Sequence, residues 1–202
     1  MNYQYITCNE QLALLCHALK KTTAISLDTE FMRTRTYYPQ MGLIQLYAEG
    51  YLALIDPLHI DDWQCLIQLL KTDTSKKYFH ACSEDMDVFM YQFNLIPTAI
   101  LDSQVLASFL DNPTCSGYAT LVNKYLKIKL DKSETRTDWL ARPLTDKQCH
   151  YAAADVYYLH PLMEILMEQL TAKNWLVAAI EECQTLIRKK QDILCSDNAY
   201  QY

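Results

Sequence analysis

Ala24-Ile25-Ser26-Leu27-Asp28-Thr29-Glu30-Phe31 is the stretch on which the reading of this chain turns. Its pattern predicts a β-strand, in which successive side chains alternate faces. Ala24, Ser26, Asp28 and Glu30 then share one side, and Ile25, Leu27, Thr29 and Phe31 the other. Two carboxylates point the same way. Like charges that close repel, and an apolar strand seldom sets them side by side unless a cation sits between them. A divalent metal answers that need. An isolated Asp-x-Glu is more often a strand end with two solvated acids, because so short a motif recurs by chance. The rest of the chain decides.

Two further acidic sites weigh against the solvated reading. After the apolar run Tyr78-Phe79-His80-Ala81, Ser83 is suited to cap a helix in which Met86, Phe89, Met90 and Phe93 recur at helical spacing. Asp85 falls in the first turn of that helix, where the backbone dipole favours a negative charge. Glu84 lies opposite the apolar face and Asp85 and Asp87 lie on its flanks, so spacing leaves both of the latter open. Further on, Thr145-Asp146-Lys147-Gln148 reads as a capping box, opening a helix with Cys149, Ala152, Ala153, Val156 and Leu159 on its apolar face. Tyr151 and Asp155 are i and i+4 on it, stacked neighbours that can address one site. Ala152-Ala153-Ala154 between them lets the helix approach a sheet or a substrate closely. Pro161 is expected to end or kink the helix by displacing the hydrogen bond to Tyr157.

An acidic strand pair, a helix-borne Asp after a strand and a Tyr-x-x-x-Asp helix, in that order, resemble the three exonuclease motifs of the DEDD superfamily, tyrosine subclass. Longer strings sharpen the likeness. Residues 28–40, from Asp28 to Gln40, then His80-Ala81-Cys82-Ser83-Glu84-Asp85, and residues 130–144, from Leu130 to Leu144, resemble bacterial ribonuclease D, and the likeness extends from Met1 to about Cys183. The resemblance implies a 3′-to-5′ exoribonuclease that trims structured RNA such as tRNA precursors to nucleoside 5′-monophosphates. It places four metal-binding carboxylates on Asp28, Glu30, Asp85 and Asp155 and the catalytic tyrosine on Tyr151. It implies two divalent ions, one held between Asp28, Glu30 and Asp155 to acidify a water, and a second bridged by Asp28 and supported by Asp85 through water. Oxygen-only ligands favour Mg²⁺ or Mn²⁺ over zinc. Tyr151, as a phenol with an ordinary pKa near 10, would orient the water rather than deprotonate it. In that family the matched part continues into two helical nucleic-acid-binding domains, which would begin near Trp175 to Arg188. We therefore expect an exonuclease domain over residues 1–185 and a tail over 186–202.

Composition is consistent with one core: 202 residues, half of them hydrophobic. No run approaches the roughly 18 apolar residues of a membrane span, and Met1-Asn2-Tyr3-Gln4 lacks the basic start of a signal peptide, so no membrane association and a cytoplasmic location are expected. Eight cysteines occur without a Cys-x-x-Cys and read as reduced and mostly buried. Only three glycines are present, and no phosphate-cradling glycine loop.

A formal net charge of −6 has the wrong sign for an RNA-binding surface. The cations are unevenly placed, however, and local field outweighs the total. Arg33, Arg35, Lys132, Arg136 and Arg142 fall in segments that resemble the family's substrate-facing loops. Arg33, Arg35 and Arg136 are candidate phosphate contacts. Phe31, Tyr37, Tyr38 and Trp139 are candidates to stack on terminal bases, with a core role as the alternative for each.

Along the chain, Thr7-Cys8-Asn9-Glu10 reads as a capping box before an amphipathic helix. Leu43–Tyr47 and Tyr51–Ile55 read as strands joined by a short hairpin through Gly50. Asp61 or Asp62 caps a helix carrying Trp63, Leu66, Ile67 and Leu70. Strands at Lys77–Ala81 and Ala99–Leu101 follow, with helices near 103–110, 118–126, 145–170 and 174–189. This order predicts an α/β fold whose mixed sheet has an antiparallel three-strand start, then parallel strands, flanked by helices. That agrees with the ribonuclease H-like architecture the resemblance implies. Two rivals stay open: a DNA 3′-to-5′ exonuclease using the same constellation, and a catalytically silent RNA-binding module of the same fold.

Overall fold

The computed structural model of the protein describes residues 1–33, 38–131, 133–134 and 137–199, with side chains described as far as residue 194. Six strands form one sheet: β1 (Gln4–Ile6), β2 (Ala24–Met32), β3 (Gln40–Ala48), β4 (Tyr51–Ile55), β5 (Lys76–Phe79) and β6 (Ile100–Asp102), in the spatial order β1-β4-β3-β2-β5-β6. The expected antiparallel start is β2-β3-β4, and the expected parallel strands are β5 and β6. One edge was not foreseen. β1 is only three residues long and takes its place by pairing in parallel with β4, a contact between distant residues that no local pattern announces.

The β3–β4 hairpin closes as expected. Ala48 pairs with Tyr51, and Glu49 and Gly50 between them both take positive φ, at 49° and 85°. Two such residues give a turn whose twist matches that of the strands. On β3, Gly42 is skipped in the pairing, because Glu30 faces Leu43 while Phe31 faces Met41. A Cβ at Gly42 would come within 2.6 Å of the Trp139 carbonyl oxygen, so a bare backbone is required where the segment carrying Trp139 crosses the sheet.

Eight α-helices flank the sheet among the described residues: α1 (Asn9–Ala18), α2 (Gln64–Lys71), α3 (Ser83–Phe93), α4 (Ser103–Ser108), α5 (Tyr118–Leu126), α6 (Asp146–Tyr157), α7 (Leu159–Ala172) and α8 (Leu176–Ala199). The larger core joins Ile25, Leu27, Ile44 and Leu46 of the sheet to Leu12, Leu66, Phe89 and Leu162 of the helices. A smaller one lies where α6 meets Leu43, Leu52 and Leu54, with Ala152 and Ala153 fully buried in the contact. As expected, Pro161 coincides with a break: the helical run parts at Tyr158, between α6 and α7.

Three local expectations are corrected. Thr7 does not cap α1. The N-cap is Cys8, without a side-chain bond, and Gln11 instead accepts from the Thr7 amide at 3.0 Å. Ser83 is the first helical residue of α3 rather than its cap, which is Cys82. The N-cap of α2 is Trp63, so neither acid offered for that position holds it: Asp62, one residue earlier, accepts from the Gln64 amide at 3.0 Å, while Asp61 pairs with Asn9. At the other end of the chain, α8 runs unbroken through the division expected at residue 185, and Ile187 beyond it still belongs to the core. The seven cysteines with described side chains are free. No helix among the described residues is long and apolar enough to cross a membrane.

Candidate active site

The site grows from β2. Asp28 and Glu30 stand on one face of the strand, both half-buried. α6 supplies the third carboxylate, and its position follows from local sequence. The Thr145 side chain accepts from the Gln148 amide, and the Gln148 side chain accepts in return from Thr145, which fixes the first turn. Gln148 also donates to the Thr137 hydroxyl at 3.2 Å and the Asp138 carbonyl at 3.1 Å, tying the helix start to the preceding segment. Ala152 and Ala153 then let α6 press against the sheet, so Asp155 reaches the strand acids. One carboxylate oxygen from each of Asp28, Glu30 and Asp155 lies within 4.8 Å of the others. Tyr151, one turn earlier, donates a side-chain hydrogen bond to Asp155.

Asp85 stands beside this trio and not within it. It comes from the first turn of α3, is 6 % exposed, and accepts a 2.5 Å hydrogen bond from the Thr29 hydroxyl. Asp87, the other residue that spacing left open, turns away to ion-pair with Arg33 at 2.9 Å and Lys190 at 2.5 Å. The turn that delivers Asp85 is held by Asp102 at the end of β6. Its carboxylate accepts from the amides of Ala81, Cys82 and Gln104 at 3.0, 2.8 and 2.8 Å. Ala81 takes φ 56° there, a conformation that a non-glycine residue adopts only under such constraint.

Burial raises all four acids above the usual carboxylate range, and repulsion from the neighbouring site carboxylates adds to it at Asp28 and Glu30. Asp28 is raised well above it, by burial first and then by Asp85, Asp155 and Glu30. Burial, with Asp155 and Asp85, pushes Glu30 up to about 9. Asp155 is raised to about 7 by burial, against the stabilising bond from Tyr151. Asp85 is likewise raised by burial to about 7, against the bond from Thr29. Carboxylates gathered in this way are costly to ionise unless cations accompany them. The donor set is all oxygen, which fits a hard divalent cation.

A cleft of about 290 Å³ opens beside the trio, lined by Asp28, Tyr151 and Asp155 and also by His80, Tyr118 and Asp131. The last three were not singled out from sequence as site residues. His80 had a readable signal, since it follows β5 immediately, and the carboxyl ends of parallel strands are where such sheets bind ligands. Its Nδ1 lies 2.8 Å from the Ser103 hydroxyl, and burial lowers its pKa. Tyr118 has no local signal. Its hydroxyl donates to the Ala154 carbonyl at 3.2 Å, and burial, then Asp155 and Asp28, hold it well above the ordinary phenol range.

The expected RNA contacts fare unevenly. Arg33 is exposed and paired with Asp87. Phe31 is half-buried against the larger core. Arg35 and Arg136, with Tyr37 and Lys132, lie outside the described residues. Tyr38 stacks on Tyr91 at 4.7 Å. Trp139 is a correction: at 1 % exposure it offers no face to a base, because it packs with Leu43 and Leu54 and lies 6.1 Å from the Tyr151 ring. Arg142 is also corrected. Its guanidinium donates to both oxygens of Asp56, at 2.5 and 3.0 Å, to the Gly42 carbonyl at 2.6 Å and to the Trp139 carbonyl at 2.9 Å. It clamps the segment before α6 onto the sheet.

With this geometry in view, likeness to known proteins becomes specific. Ribonuclease D of Musicola paradisiaca is 52 % identical over 200 residues, covering 99 % of this chain and 54 % of the relative. The crystal structure of Escherichia coli RNase D, described as an exoribonuclease involved in structured RNA processing, superposes with a TM-score of 0.92 at 52 % identity, over 95 % of this chain and 51 % of that one. The chain thus spans about half the length of the curated relatives it matches. Brucella melitensis NrnC with bound Mg²⁺, at 20 % identity and a TM-score of 0.80 over 96 % of this chain and 94 % of that one, shares the fold. The sequence model described as 3'-5' exonuclease matches residues 3–171, which span the trio, Asp85 and Tyr151, and the chain belongs to the 3′-5′ exonuclease family.

Proposed function

We propose that this chain is a metal-dependent 3′-to-5′ exoribonuclease that releases nucleoside 5′-monophosphates from RNA 3′ ends of the tRNA-precursor type. The observation that carries the reading is the convergence of Asp28, Glu30 and Asp155 within 4.8 Å at a cleft that also holds Tyr151. Asp28, Glu30 and Asp155 would hold one divalent ion, and Asp28 with Asp85 would hold a second; Mg²⁺ or Mn²⁺ suits oxygen donors at both. When bound, such ions supply the Lewis-acid charge that activates water and offsets charge on a leaving oxygen.

The remaining work falls to the chain. Tyr151, anchored through Asp155, positions the attacking water, and the buried Trp139 beside its ring fixes where the hydroxyl points. Leu27, Leu130 and Leu159 line the cleft with apolar side chains, restricting bulk water around the terminal nucleotide. Phe31, next to Glu30 on β2, and Arg33, just past the strand's end, are proposed contacts for base and phosphate. The ordered, fully satisfied turn around Asp102 argues for a working site over a silent module, since it holds Asp85 beside the other acids.

The test is incubation of a 5′-labelled single-stranded RNA, a matched DNA and a 3′-blocked RNA with Mg²⁺ or Mn²⁺. We expect a descending ladder from the free RNA 3′ end, with 5′-monophosphate products and little action on the blocked strand. Preferential shortening of DNA would favour the DNA exonuclease reading. No cleavage of any strand would leave the RNA-binding module.

A further inference from the structure

A second cavity shares two helices with the cleft. Part of the cleft's wall is Tyr118 and Ala119, which open α5, and Leu159, which opens α7. These two helices pack side by side. At their far ends the second cavity, of about 520 Å³, lies between Lys124, Tyr125 and Lys127 on one side and Ile165, Gln169 and Lys173 on the other. Tyr118 and Tyr125 are seven residues apart and so share a face of α5, and at 1.5 Å of rise per residue the two cavities lie roughly 10 Å apart along it.

The second cavity is opposite in sign to the first. Lys124 Nζ rests 2.6 Å from the Asn112 side-chain oxygen, and Lys127 Nζ 2.9 Å from the Lys124 carbonyl, so both ammonium groups are held by neutral acceptors that leave their charge uncancelled. Lys173 pairs with Asp111 at 3.2 Å, and Asp111 is the one carboxylate in the lining. Lysines are favoured at helix C-termini in any case, but three full charges outweigh one carboxylate and roughly half a charge at each of two helix ends. In a chain of net charge −6, this concentration of cations lies one helix length from the metal-binding acids.

We propose that the cavity bounded by Lys124, Lys127 and Lys173 binds the phosphodiester backbone of single-stranded RNA a few nucleotides upstream of the 3′ nucleotide held in the cleft. The proposal rests on the exoribonuclease reading and extends it. An acidic cleft repels phosphate until cations enter it, so a separate cationic anchor gives a strand its first hold and its direction. The strand then runs along the α5–α7 wall.

The test compares wild type with Lys124→Gln/Lys127→Gln/Lys173→Gln on a dinucleotide and on a strand of roughly ten nucleotides, across a range of salt. For the long strand we expect KM to rise roughly tenfold with kcat little changed and the salt slope to become shallower by about two, while KM for the dinucleotide stays put. Equal shifts on both lengths, or none on the long strand, overturn the proposal. Equilibrium binding of the long RNA to Asp28→Asn protein, with and without the three substitutions, asks the same question without turnover. Weaker binding is expected with the substitutions, and unchanged binding overturns the proposal. Wild type that cleaves neither RNA defeats the exoribonuclease reading. Wild type that cleaves both with no effect of the lysines defeats only the upstream site.

Discussion

Asp28, Glu30 and Asp155 are held closer than free carboxylates would settle. Within 4.8 Å, at an effective dielectric near 20, each ionised pair repels by roughly 3 kcal/mol. Asp28→Asn or Asp155→Asn is expected to abolish cleavage while leaving the fold intact; a folded variant with near-normal turnover would refute the metal assignment. Tyr151→Phe keeps the ring on Trp139 and removes only the hydroxyl. We expect the rate to fall roughly ten- to a thousand-fold with RNA binding little changed, and equal losses of binding and turnover would instead indicate substrate contact. These residues were legible because each is set by a short period: two along a strand, four along a helix. Trp139 was not, because whether a tryptophan faces solvent or core depends on what the sheet brings to it. The acids also titrate in a readable direction. Asp85 and Asp155 sit near 7 and Glu30 near 9, above the roughly 4 of unfolded carboxylates, so the folded state keeps protons that the unfolded chain gives up. Without divalent cations, stability should fall as pH rises from about 4 through 7 to 9. Thermal melts across that range test this, and a melting temperature that climbs over the same window would contradict it.

Between elements, the contact that sets the site's precision is the crossing of β3 by the segment leading into α6. Gly42 forms the bulge, Trp139 lies over it, and Arg142 ties both to Asp56, which also accepts from the Tyr5 hydroxyl at 2.6 Å and the Leu58 amide at 3.1 Å. Gly42→Ala places a methyl 2.6 Å from a backbone oxygen that no rotamer change can move aside. It should destabilise the protein by about 1–3 kcal/mol and lower turnover by displacing Trp139 beneath Tyr151. Denaturant titration with a parallel rate assay checks this, and an unaffected midpoint would mean that the crossing is loose. The α6 capping box could be read from sequence because its reciprocal bonds span four consecutive residues. The start of α3 could not. Its turn is held by Asp102, which arrives from another strand, so no residue near Ser83 signals it.

In the molecule as a whole, β2 lies between the antiparallel β3 and the parallel β5, and the acids gather where β2 and β5 end, at the point where strand direction changes. The hairpin and the alternation of strands with helices made this sheet legible. The three-residue edge β1 and the α5–α7 wall were hidden, since each joins segments far apart in the chain. The same topology makes the site a junction, with β2 at the centre, α6 on one face and α3 reaching in from β5. Cations bound among Asp28, Glu30, Asp155 and Asp85 would therefore link elements that otherwise meet through repelling charges. A ligand that binds only the folded state stabilises it by about 2.7 kcal/mol at a hundredfold excess over its dissociation constant. Protons compete for the same oxygens, so the gain should be small near pH 5 and grow toward pH 8, opposite to the metal-free trend. Melting curves with and without Mn²⁺ at the two pH values measure it. In Asp28→Asn/Asp155→Asn we expect a higher melting temperature without metal and no response to Mn²⁺; a response as large as in wild type would mean that the ions bind elsewhere.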